Sequence, residues 1–276
     1  MLGKLIKYDM KYLNRFLILL HSFLMISLVF IRVFLTSRIE LRTTQEQTEL
    51  LFAITFTLCF LIIMTISMGT LLIIAVRFYK NLFTDEGYLT HTLPVKSSQH
   101  LLSKTVSGSI WAFLNLILTY IGIFIVAWTP NVQSFFVGNR AEILEELGIT
   151  GKYENLSLST IIAVILLFSI ISAISNVIMI YASIALGQLF SSHRIVGSLV
   201  AYFVLQIVIS VLSLLFIVCF GQLTSMIYMT EADAYHFSFI AYMSEALRLS
   251  CILMLIITVI LYLITQYIMK RKINLI

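Results

Sequence analysis

Six long apolar runs constrain this chain more than any other feature: Phe16–Leu35, Leu50–Val76, Val106–Thr129, Leu158–Leu186, Val196–Phe220 and Leu249–Met269. A bilayer's hydrocarbon core is about 30 Å thick, and a helix needs about 20 apolar residues to cross it. Every run reaches that length. Only helices and closed barrels satisfy the backbone inside lipid. A barrel would show short alternating segments, whereas these runs are continuous and rich in Leu and Ile. Charged residues make up 11% of the chain, against about 25% in soluble domains. Mean hydropathy is +1.03. The fold class expected is therefore all-α: a polytopic membrane protein with six transmembrane helices, forming one domain over residues 1–276.

Charge placement sets the expected orientation. With the N-terminus inside, the segments 1–15, 77–105, 187–195 and 270–276 face the cytoplasm and hold 12 of the 18 Lys and Arg residues. Short cytoplasmic loops carry this excess in membrane proteins. Of the acids, only Asp9, Asp85 and Glu86 fall on that side. Both termini are expected in the cytoplasm. The net charge of +5 follows from orientation and calls for no nucleic acid. The first run is expected to remain as a span, since Thr36-Ser37-Arg38 after it does not fit a signal-peptide cleavage site.

The segment 1–15 is amphipathic. Lys4, Lys7, Lys11 and Arg15 lie three or four residues apart and share a helical face. Leu2, Leu5, Ile6, Tyr12, Leu13 and Phe16 fill much of the rest. Such a helix suits the membrane interface, with its basic face toward anionic headgroups. Positive-inside flanking of the first span is the alternative; the regularity of the stripe over four turns favours the interfacial helix.

None of the 13 acids lies within a span. Ion-coupled carriers generally place ionisable groups at membrane depth. The polar residues in the spans are His21, Arg32, Asn115, Asn176, Gln206 and Gln266. Helix–helix hydrogen bonding or interface anchoring accounts for them first; Asn176 and Gln206 are the deepest and are the pore candidates. Cys59, Cys219 and Cys251 all sit in apolar runs, at no ligand spacing, and read as small apolar residues. No His-Glu-x-x-His or Gly-x-Ser-x-Gly occurs. Gly151-Lys152 lacks the first glycine of a phosphate loop, with Glu146 in its place, and Tyr153 follows the lysine. The chain is expected to bind no metal, cofactor or ATP of its own.

Between the second and third runs lies Asp85 to Lys104, polar yet closely punctuated. Glu86 to Leu93 suits a short helix, which Pro94 stops, pushing Leu93 toward extended geometry. Ser97 or Ser98 then offers a cap for the next helix. A short helix held between two long ones acts as a lever; a plain loop is the alternative. The link 187–195, with His193 and Arg194, offers a second contact on the same side or a simple tight turn. On the other side, Ala141 to Leu147 suits a short amphipathic helix exposing Glu142, Glu145 and Glu146. Residues 221–248 carry Tyr228, Tyr235, His236 and Tyr242, which suit an aromatic interface belt. Asn155-Leu156-Ser157 matches a sequon of a kind common by chance.

The motifs Asp85-Glu86-Gly87-Tyr88-Leu89, Leu93-Pro94-Val95 and Leu101-Leu102-Ser103-Lys104 resemble the coupling segment of type-2 ABC exporter permeases. Phe78-Tyr79-Lys80-Asn81-Leu82-Phe83 before them is similar to permeases of low-GC Gram-positive bacteria. The six runs and the basic N-terminal segment extend the resemblance over the whole chain; His91 departs from it, standing where many relatives have an acidic or apolar residue. The resemblance implies a permease subunit that exports a peptide, drug or lipid-like cargo. It implies a separate ABC ATPase subunit binding ATP and Mg, and a second permease copy or a related permease. It assigns Asp85, Glu86, Gly87, Tyr88, Leu89, Leu93 and Pro94 to ATPase coupling. Two other classes fit the same runs: a self-contained carrier or channel, and a non-transport immunity or sensor protein.

Overall fold

The computed structural model describes residues 2–40, 45–92, 94–147, 157–190, 193–219 and 239–271. Among these every regular element is a helix. They are α1 (Leu2–Glu40), α2 (Gln45–Phe83), α3 (Asp85–Thr92), α4 (Ser97–Ala127), α5 (Pro130–Gly138), α6 (Arg140–Glu146), α7 (Leu158–Gly187), α8 (Arg194–Cys219) and α9 (Phe239–Arg271). Six of them, α1, α2, α4, α7, α8 and α9, are long and apolar enough to cross a membrane. The protein is a multi-pass membrane protein of the all-α class.

The starts of α1 and α4 differ from the sequence reading. The basic segment 1–15 is no separate element, because α1 runs through residue 15 without a break. No glycine or proline stands between Gly3 and Glu40 to interrupt it. At about 1.5 Å per residue, its 39 residues extend well past a hydrocarbon core of about 30 Å. The cap of α4 is Lys96, in extended geometry and with no side-chain bond, while Ser97 and Ser98 fall in the first turn. The stop imposed by Pro94 leaves Lys96 as the last extended residue, so the helix begins one residue before either serine could cap it.

The chain divides into two compact units, Met1–Ser134 and Phe135–Asn274. In the first, α1 packs against both α2 and α4, and α3 folds back on α2. The buried stripe of α1 reads Asp9, Leu13, Leu17, His21, Leu24, Leu28 and Ile31, which is the three-four spacing of a helix seam. Leu24, Leu28 and Ile31 meet Cys59 and Ile66 of α2. Gly122 lets α4 approach closely: a Cβ there would stand 2.2 Å from Leu28 Cδ1.

In the second unit, α7 packs on both α8 and α9. Ile178, Met179, Ala182 and Leu261 form its core, flanked by Tyr202, Leu205 and Ile209 of α8. The Ser175 and Thr258 hydroxyls join α7 to α9 at 2.6 Å. The α7–α8 hairpin is tight because residue 187 is glycine; a Cβ there would lie 2.4 Å from the backbone nitrogen of Ser198.

Candidate functional site

Four hydrogen bonds from α1 to α4 and its C-terminal cap keep nearly one offset. Asp9 meets Lys104, Asn14 meets Trp111, His21 meets Asn115 and Arg32 meets the carbonyl of Trp128, at separations of 95, 97, 94 and 96 residues. Partners that advance together along both helices, within an offset of 94 to 97, mean that α1 and α4 run parallel. From Asp9 to Arg32 the ladder covers about 35 Å at 1.5 Å per residue, close to a full hydrocarbon core.

The rungs at the Asp9 end are charged. Lys104 Nζ donates to Asp9 Oδ1 at 2.9 Å, and the Ser103 hydroxyl donates to Oδ2 at 2.9 Å. Asp9 and Lys104 are both buried. A charge out of water must be paired and hydrogen-bonded, and here each is. Arg77, near the end of α2, adds a longer contact of 3.9 Å to Asp9 Oδ1. Its guanidinium lies 4.0 Å over the Tyr12 ring and donates to Glu86 Oε2 of α3 at 3.3 Å. Asn81 Nδ2 reaches the same oxygen at 3.5 Å. One cluster of two acids and two bases thus joins α1, α2, α3 and α4.

The short helix itself follows from local chemistry. Asp85 and Glu86 occupy its first turn, where the positive end of the peptide dipoles favours acids. The Gly87 amide donates to Thr84 O at 2.7 Å, closing the bend after α2. Gly87 is buried, whereas Tyr88 is 67% exposed and Asp85 and Pro94 are exposed as well. The element therefore presents Tyr88 outward while Glu86 turns back to the cluster. The side chains of Leu89 and His91, and Leu93 as a whole, lie outside the described residues.

The remaining sequence candidates divide. Lys4, Lys7, Lys11 and Arg15 are all exposed, on the side of α1 away from Asp9, Leu13 and Leu17. His193 is exposed, and its carbonyl accepts from the Gly197 amide at 2.8 Å as α8 begins at Arg194. Asn176 turns back on its own helix, donating to Ser172 O at 2.9 Å. Gln206 is exposed on α8, and no hydrogen bond links it to Asn176. α6 stands where a short helix is expected and exposes Glu142; the side chains of Glu145 and Glu146, together with Tyr228, Tyr235, His236, Gly151, Lys152 and Asn155, lie outside the described residues. α5, with Phe135 and Phe136 exposed, was not expected.

Sequence reasoning missed Asp9, Arg77 and Lys104 as a set. It placed them on one side of the membrane but treated them as separate flanking charges. A signal did exist: Asp9 sits about 200° around the helix from Lys7 and Lys11, on the apolar face. The polar positions in and just before the first and third runs also keep offsets of 94 to 97.

Above the charged end, His21 Nδ1 donates to Leu17 O at 2.7 Å, and its Nε2 lies 3.1 Å from the Asn115 side chain. Asn115 in turn reaches Ser67 of α2 at 3.1 Å. Trp111 Nε1 donates to Asn14 at 3.0 Å. Among the described residues no group of His, Cys, Asp and Glu could hold a metal ion. Comparison with family models, with curated proteins and with solved structures finds no match to this chain.

Proposed function

We propose that this chain is the membrane-spanning permease subunit of an ATP-driven ABC exporter in a bacterial cytoplasmic membrane. Both termini and α3 face the cytoplasm, and a separate ATPase subunit binds ATP and Mg. The cargo class is peptide, drug or lipid-like. The observation that carries the reading is the tie from α3 through Glu86, Arg77, Asp9 and Lys104 into three long helices. A plain loop would have no reason to be held at four elements. A helix so held passes a push on Tyr88 to α1, α2 and α4 together, which is what coupling between two arrangements requires. The resemblance of Asp85–Lys104 to permease coupling segments supports the same assignment.

Purification from native membranes tests it. The expected result is a stoichiometric ATPase, crosslinked through position 88, with ATP turnover absent from the chain alone. A chain that purifies without an ATPase, or that hydrolyses ATP by itself, overturns the reading in favour of a self-contained carrier or a non-transport role.

A further inference from the structure

We infer that His21 is a reversible proton-binding site at the middle of the membrane, built by Leu17, Asn115 and Trp111 around its ring. His21 stands between Asp9 and Arg32, the two ends of the α1–α4 ladder, and lies about 16–18 Å from each along the helix axis. Only 4% of it is exposed. Nδ1 meets the Leu17 carbonyl at 2.7 Å, and a carbonyl only accepts, so Nδ1 carries a hydrogen. Nε2 meets Asn115 Oδ1 at 3.1 Å, while Asn115 Nδ2 donates to Ser67 Oγ of α2 at 3.1 Å. An amide oxygen also only accepts. The arrangement is therefore that of an imidazolium, with a hydrogen on both nitrogens. The Trp111 ring supports it: the two ring centroids are 5.5 Å apart and the planes 34° apart, within the range at which an indole attracts a cation. Trp111 is itself fixed by its Nε1 bond to Asn14.

The neutral ring fits the same place with one change. If the Asn115 amide turns over, Nδ2 donates to the bare Nε2 and the Ser67 hydroxyl donates to Oδ1. Taking up a proton places it on the Nε2 lone pair, turns the amide, and changes Asn115 from acceptor to donor toward Ser67. Ring and amide stay paired in both states, so α1, α2 and α4 remain joined throughout. A charge taken out of water is costly unless polar groups replace its hydration; here two oxygens and an indole face do so. Among the described residues, none of the charged or titratable side chains on these three helices bonds to the ring. Arg15 is exposed on another face of α1, and Arg77 and Lys104 belong to the cluster at the Asp9 end. Cys59 of α2 packs with Leu24, Leu28 and Ile31, and Tyr120 of α4 is exposed. The ligand is a proton and not a metal ion, which would need further His, Cys, Asp or Glu beside the ring; the described residues offer no such group. The inference stands apart from the permease reading.

The test is nuclear magnetic resonance of the full chain in lipid nanodiscs, with the side-chain nitrogens of histidine, asparagine and tryptophan isotopically labelled. The His21 signals are identified by their contact with the Trp111 indole. Nδ1 should stay protonated throughout, and Nε2 should gain its hydrogen on acidification from about pH 8 to about pH 5. The Asn115 amide signal should shift at the same midpoint. In Asn115→Leu, Nε2 should stay bare at the acid end, because nothing there accepts its hydrogen. A ring whose protonation does not change over that range, a hydrogen on Nε2 with Nδ1 bare, or an Asn115 amide that ignores the titration would each overturn the proposal. So would full protonation of the ring in Asn115→Leu. Should that variant fail to fold, the titration of the unchanged chain decides by itself.

Discussion

At the scale of the residue, Asp9 and Lys104 matter most, because each is the other's reason for being buried. Removing one partner leaves a charge without compensation. Asp9→Ala should destabilise the protein by about 3 kcal/mol or more. Replacing both, as in D9N/K104M, should cost clearly less than the sum of the single changes, since neither charge is then stranded. Thermal unfolding of the purified variants in one detergent would show this, and additive losses would mean that the pair is not coupled. The sequence exposes the charges but not their partnership. Asp9 reads as one acid among Lys4, Lys7, Lys11 and Arg15 until α1 packs on α4 and turns it inward.

At the scale of the element, two glycines make predictions of different size. A Cβ at Gly122 meets only the end of the Leu28 side chain, which can swing aside. A Cβ at Gly187 meets Ser198 backbone, with its Cα at 2.5 Å. Gly187→Ala should therefore open the α7–α8 hairpin at a cost of about 1–3 kcal/mol, the range of overpacked sites. Gly122→Ala should cost less. Melting temperatures of the two variants check the order. For α3 the expectation is functional. Tyr88→Ala, at an exposed position, should leave folding intact and weaken ATPase association by about 2 kcal/mol if the ring is an interface anchor. The readout is ATPase recovered per permease in a pull-down; full recovery would remove Tyr88 from the coupling surface. The short helix and its proline stop were legible in the sequence because both are local. Its hold through Arg77 was not, since nothing in local spacing points residue 77 at residue 9.

At the scale of the whole molecule, the orientation is open to direct test. A cysteine at position 144 should react with an impermeant thiol reagent added outside whole cells, and one at position 92 should not. The reverse pattern would move α3, the charged cluster and both termini to the outside, and the coupling argument would fail with them. The Lys and Arg asymmetry behind this prediction is a property of composition along the chain and needs no coordinates.

By itself the sequence determined the solvent of each segment. Twenty or more apolar residues in a row must be helical in lipid, because the backbone there can bond only to itself, and six such runs make six spans. It also placed α3, expected from Glu86 and found from Asp85, since acids, a glycine and a proline act within a few residues of their own positions. The lack of glycine and proline between Gly3 and Glu40 let α1 continue unbroken through its basic segment, and the tertiary structure decided how that helix packs. Only it set α1 and α4 parallel, so that Asp9, Asn14, His21 and Arg32 each found a partner 94 to 97 residues away. Lipid sorts residues by polarity, which any single stretch of sequence displays. Hydrogen bonds between helices depend on the rotation and register of two helices at once, and no single stretch contains both.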